Sequence, residues 1–323
     1  MLHSLNRDGL LASAQSRRSH PSPPLSVPTS HTVKPAAIGY DPKNWLALLL
    51  DVPRSRVFRT LAVDVIVAGA YSALVVYLET NVFGFFLPLG PSFLSILGII
   101  LGLLLVFRTN TAYDRWWEGR RLWGQLLNAS RGMSHQLDAM LGEPTARTGA
   151  RQRYAALLAA FPASLARHLR APGSVQGAMA PASLISALHR SVHSDIAHGH
   201  LVAESRITIA PLLQTLDDAM GGCERIRNTP IPVSYSTYVK QFVLLYALVM
   251  PFGLAREFGY GAVIASMLTF FATMGLELLA EEIEDPFGDD RNDLPLEAIT
   301  ASIVRDVHAI LGVASPPVGA TAD

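Results

Sequence analysis

Between Ile99 and Trp123 the chain reads IILGLLLVFRTNTAYDRWWEGRRLW. An apolar run without a charge ends abruptly at Arg108. Asn110, Asp114, Arg115, the Trp116–Trp117 pair, Glu118 and two further arginines follow. This pattern predicts a membrane helix that leaves the bilayer and continues as a solvated, arginine-rich one. Ile99, Leu103 and Phe107 recur one helical turn apart on a single face of it.

Composition agrees with a membrane protein. Half of the 323 residues are hydrophobic and 16% are charged, against roughly 25% charged in an ordinary globular chain. Formal net charge is zero, which gives no argument for nucleic acid as a partner. Cys223 is the single cysteine, so no intrachain disulfide can form, in keeping with a reducing compartment or a membrane facing one.

Four apolar segments stand between two loose ends: Leu61–Leu78, Phe93–Phe107, Phe242–Leu254 and Gly261–Ala280. A spanning helix needs roughly 20 mainly apolar residues. The first and fourth approach that length, whereas the second and third reach it only with flanking polar or aromatic residues. Arg54, Arg56 and Arg59 precede the first segment, and Arg108, Arg115, Arg120, Arg121 and Arg131 follow the second. The loop TNVFGFFLPLGPS between them carries no Lys or Arg. The positive-inside rule then puts that loop outside and both termini in the cytoplasm, with the chain multi-pass in the plasma (inner) membrane.

The organisation expected is a disordered Ser/Pro-rich arm over 1–40, membrane helices one and two over 41–114, and a cytoplasmic helical domain over 115–235. Membrane helices three and four over 236–280 follow, then an acidic loop and cytoplasmic helix over 281–313 and a tail over 314–323. The middle region is helical by apolar spacing. Gly142-Glu143-Pro144 closes its first helix, Pro162 marks a kink or restart, Pro181 opens a helix, and Gly221-Gly222 loosens another. Pro88, Gly90 and Pro91 suggest that the second membrane helix is built in pieces.

Three motifs, FRTNTAYDRWWEGRRLWG, RIRNTPIPVSYS and EEIEDPFGDDRNDLPLE, occur in an order that resembles the bestrophin family, in particular its bacterial branch, and is also similar to the plant thylakoid voltage-dependent chloride channels. The resemblance spans roughly residues 40–310. It implies an all-α membrane protein of four transmembrane helices plus a helical cytoplasmic domain, a homo-oligomer of five subunits around one central pore. Anchored on the FR step and on RWW, it implies a pore-lining helix over about 92–107 with a hydrophobic neck at Ile99, Leu103 and Phe107. It also implies a cytoplasmic aperture on the helix before IPVSYS, placed at Leu212. In animal members the acidic region forms a calcium clasp, whose side-chain ligands align with Glu282, Asp285, Asp290 and Asp293. Arg291 and Asn292 interrupt that run here, and the N-terminal arm is unlike the animal one, so a solvated loop with Pro286-Phe287 packed on the body is the competing reading. No cofactor is required on either reading.

Other residues have plain explanations. Gly98 and Gly102 suit close helix packing, and Trp116 and Trp117 suit interfacial anchoring or packing below the membrane. His189 and His193 share a helix face at a spacing that zinc sites use, yet no cysteine or paired glutamate completes a set.

Three functions compete. The first is a channel for small monovalent ions, chloride by family analogy and cations as in some bacterial members. The second is a secondary transporter coupled through Asp64 and Glu277; both lie near segment ends, and no inverted repeat is visible. The third is a membrane enzyme, but the sequence holds no nucleophile elbow, phosphate-binding glycine loop or zinc-hydrolase signature.

Overall fold

The computed structural model describes residues 56–85, 89–142, 148–290 and 292–314. The expected arm over 1–40, and the tail from residue 315 on, lie outside the described residues. Within them the chain is helical and no strand occurs. The α-helices are α1 (Arg56–Tyr77), α2 (Pro91–Leu141), α3 (Thr148–Arg170), α4 (Pro181–Ala197), α5 (Ser205–Asn228), α6 (Val233–Phe258), α7 (Gly261–Glu284) and α8 (Leu296–Leu311). A π-helical turn, Leu78–Phe83, prolongs α1.

Four of these are long and apolar enough to cross a membrane: Arg59–Phe83, Pro91–Leu141, Val233–Phe258 and Gly261–Glu284. The two segments that fell short by hydropathy are the apolar portions of longer helices. Helical hydrogen bonding continues through polar flanks, which a hydropathy count does not credit. In the membrane bundle α7 packs on α1, α2 and α6, while α6 also reaches α1 and α2. Shallow clefts open on the bundle, among them one of about 460 Å³ between α2 and α7 and one of about 480 Å³ between α1 and α6.

The second membrane helix is not built in pieces. α2 runs unbroken for 51 residues, about 75 Å at 1.5 Å per residue. Pro91 sits in its first turn, where a missing N–H costs nothing, and no proline follows until after Gly142, whose positive φ of 73° ends the helix. The expected boundary between residues 114 and 115 therefore falls in the middle of one rigid element.

Below the membrane, the second half of α2 packs with α3, α4, α5 and α8 around a dense core that includes Trp123, Tyr154, Phe161, Leu216 and Val307. α3 passes through Pro162 without a break. A proline inside a helix costs about 3 kcal/mol, offset here by burial of Leu158, Phe161 and Leu165 around it. Nor do Gly221-Gly222 interrupt α5. A Cβ on Gly222 would stand 2.8 Å from Leu122, so this glycine lets α5 approach α2.

Candidate functional site

The three neck residues project from the membrane half of α2. In the single subunit Ile99 is 72% exposed, and Leu103 and Phe107 are each 55% exposed. The opposite side of the same helix is buried: Leu101 and Leu105 join Val239 and Val243 of α6 in a small core. The helix thus has a fixed back and an open front, and the expected stripe is the front.

The rotation is held by two arginines. Arg108, next to Phe107, is 1% exposed and lies between carboxylates of α7. Its Nε is 3.4 Å from Glu277 Oε1 and Oε2, and its Nη2 is 2.8 Å from Glu284 Oε2. Glu277 is itself 0% exposed. Glu284 accepts a second bond from the Ile231 backbone N–H at 3.0 Å, so it joins α2, α7 and the turn before α6. Two turns further on, Arg115 donates to three carbonyls: Glu284 at 3.0 Å, Ile226 at 2.7 Å and Thr229 at 2.6 Å. Guanidinium donors at helix C-termini satisfy orphan carbonyls and complement the helix dipole.

Glu277, a candidate coupling residue of a transporter, is the buried partner of Arg108. The other such residue, Asp64, is half-buried and lines the cleft between α1 and α6 with Lys240, whose ammonium binds Glu281 at 2.8 Å. Arg115 binds the Thr229 carbonyl just ahead of the IPVSYS turn. The missed signal was the pairing of one intramembrane-edge arginine with a carboxylate in another apolar segment, since such groups seldom stay unpaired.

The two glycines of α2 differ. A Cβ on Gly98 would meet the Tyr246 hydroxyl at 3.0 Å, as a packing role requires; Gly102 has nothing within 4 Å and opens into the cleft between α2 and α7. Trp116 donates from Nε1 to the Asn292 carbonyl at 2.9 Å and packs on the large core outside the spanning segments, whereas Trp117 is exposed and stacks on Tyr113.

The buried face of α5 includes Ile209, Leu213 and Leu216. That register leaves Leu212 half-buried against the core, with Cδ2 3.2 Å from a Cβ built on Gly132. Ile207, on the other side, is 76% exposed.

The acidic loop is held mostly by its own chain. Phe287 is fully buried, and it and Pro286 stand 3.2 Å from a Cβ built on Gly119, which is the packed-loop reading. Asp293 Oδ2 accepts the Asp290 backbone N–H at 2.6 Å, and Asp285 lies 3.8 Å from Arg227. Burial, opposed by that backbone bond and reinforced by Asp290, Asp285 and Glu282, raises the Asp293 carboxyl to about 6. Glu282, Asp285 and Asp290 lie near enough to Asp293 to act on its carboxyl, and among the described residues no three His, Cys, Asp or Glu converge to hold a metal. His189 and His193 turn to α5 instead, to Asp217 at 3.0 Å and Arg206 at 3.2 Å.

Four spanning helices, one of them continuing unbroken into a helical body, define a helical membrane protein with an exposed apolar stripe fixed in place. A profile of bacterial and fungal bestrophin proteins matches residues 38–309, and the chain belongs to the bestrophin family. It is 30% identical over 287 residues to a voltage-dependent anion channel-forming protein of Synechocystis, covering 84% of this chain and 92% of that one. A similarly named protein of Nostoc is 32% identical over 284 residues, 82% of this chain and 91% of that one. The fold is similar to the crystal structure of a bacterial bestrophin homolog from Klebsiella pneumoniae, with a TM-score of 0.70 and 27% identity over 77% of this chain and 98% of that one.

Proposed function

We propose that five copies of this chain close a ring in the plasma (inner) membrane, with both termini on the cytoplasmic side, and conduct small monovalent ions passively through the axis. The observation that carries this reading is the fixed stripe Ile99–Leu103–Phe107 on α2. Five copies make three apolar rings over about 12 Å. A narrow apolar constriction sheds water, so an ion there must lose hydration, and conduction responds steeply to radius. The relatives named for anion channel formation support a channel.

The two flanks of α2 favour a head-to-tail ring. One flank carries the exposed bulky side chains Phe93 and Ile100. The other is the cleft floored by Gly102, Thr269 and Ala272. A ridge on one copy that fills a groove on the next gives a heterologous contact, the kind that closes into cyclic rings. For the cytoplasmic aperture we favour Ile207 over Leu212, because Leu212 is committed to the core. A transporter is the weaker reading, since Glu277 is held in a buried ion pair. The acidic loop closes on itself, and no step in this reading requires calcium.

Reconstitution of the purified protein into planar bilayers tests the function. Unitary current steps are expected, larger in Phe107→Ala and Leu103→Ala with assembly retained. Slow saturable flux without steps would favour a transporter. Ile207→Ala should raise conductance, whereas Leu212→Ala should act on stability alone.

A further inference from the structure

The neck rings carry no charge, so they do not choose the sign of the permeant ion. We propose that Asp114 makes that choice at the inner mouth of the neck, by drawing cations to it. This inference rests on the reading of α2 as the pore-lining helix.

At 3.6 residues per turn, Asp114 stands about 20° from the direction of Leu103, and about 10 Å along the helix below Phe107. It is exposed, and among the described residues no cation lies within ion-pair distance of it. The two arginines of α2 nearest the neck in sequence are engaged elsewhere. Arg108 is buried between Glu277 and Glu284, and Arg115 spends its donors on three carbonyls. Asn110, on the same line, is exposed and neutral. Glu118, about 20° from the direction of Phe107, is paired with Arg225. The first unpaired charge on the stripe is therefore a carboxylate, repeated five times in the ring.

A competing charge lies deeper. Arg121, a whole number of turns from Leu103, is exposed in the same direction but about 21 Å below Phe107. Distance decides between them. With a Debye length of about 8 Å at physiological ionic strength, the Asp114 ring acts on the mouth from little more than one screening length, and Arg121 from nearly three. Rings of acidic side chains raise the local concentration of cations and exclude anions. Arg121 then tempers the preference without reversing it.

The test is the reversal potential of the purified full-length protein in planar bilayers under a KCl gradient. Wild type is expected to favour potassium over chloride, and Asp114→Asn to lower the permeability ratio several-fold towards unity. Asp114→Arg should invert the ratio, and Arg121→Gln should raise it less than twofold. The wild-type preference should also weaken as ionic strength rises. Should Asp114→Asn or Asp114→Arg fail to assemble, Asp114→Cys can be modified in the assembled channel, because Cys223 is buried. There an anionic methanethiosulfonate should restore cation preference and a cationic one should reverse it. A chloride-selective wild type, or a ratio unmoved by Asp114→Asn in a conducting channel, would overturn the assignment and leave the channel intact. A wild type that passes no current would overturn the channel reading and this assignment with it.

Discussion

The two halves of α2 live in different surroundings. Beyond the spanning segment its side chains enter a core shared with α3, α4, α5 and α8, in which Trp123, Leu126, Met133 and Leu137 are fully buried. Inside the membrane it meets α6 and α7 on one side only, leaving Ile99, Leu103, Phe107 and Gly102 open. The helical body beyond the spanning segment packs its core within one chain. The membrane bundle's open surfaces are left for lipid and for neighbouring copies to cover. Arg108 and Arg115 stand where the two regimes meet and couple the rotation of one half to the packing of the other.

Mutations should separate the halves by the kind of effect as well as its size. Arg108→Ala leaves Glu277 buried without its cation; removing one partner of such a pair typically costs about 3–5 kcal/mol. Thermal unfolding in detergent should show that loss, with partial rescue by Arg108→Lys. Trp123→Ala should cost a similar ~3–5 kcal/mol through its cavity without changing the selectivity of channels that survive. Leu103→Ala, on the open front, should cost less than about 1 kcal/mol yet alter single-channel conductance. If Leu103→Ala destabilised as much as Trp123→Ala, the stripe would be core rather than pore.

Gly102→Leu sharpens the contrast further. A side chain there meets nothing within the subunit, so helical content should be unchanged by circular dichroism, while the oligomer shifts towards smaller species on size exclusion. The smallest effect concerns pH. The Asp293 carboxyl is raised in the folded state from 3.8 to about 6, so folding favours its protonated form. Its contribution is fully present below about 4 and is lost as pH rises through about 6. Asp293→Asn should flatten the pH dependence of the melting temperature in that window. Calcium or a chelator should leave that temperature unchanged.

Much of the fold is legible in the residues. The apolar run before Arg108 and the arginines beyond it mark a spanning helix that leaves the bilayer, and the stripe follows from helical spacing alone. Continuity of α2 is harder to read, because Pro88, Gly90 and Pro91 look like breaks, although Pro91 is acceptable in a first turn. Tertiary pairs are harder still. Nothing local joins Arg108 to Glu277 or Arg115 to the carbonyls of Ile226 and Thr229; these follow from helices distant in sequence meeting in space. Leu212 and Ile207 differ by which face of α5 is buried, and the apolar run ITIAPLL offers both faces to a reader without the packing. The bestrophin resemblance supplied the neck positions, but not what fixes them.

Distances between spin labels attached to the assembled protein at Leu103, compared with those at Ile66 on α1, bear most directly on the arrangement of copies. A five-fold ring with α2 innermost should give at Leu103 two short intersubunit distances in a ratio of about 1.6, both below the corresponding pair from Ile66. Leu103 labels farther apart than those at Ile66, or labels with no partner within range, would contradict a pore lined by α2.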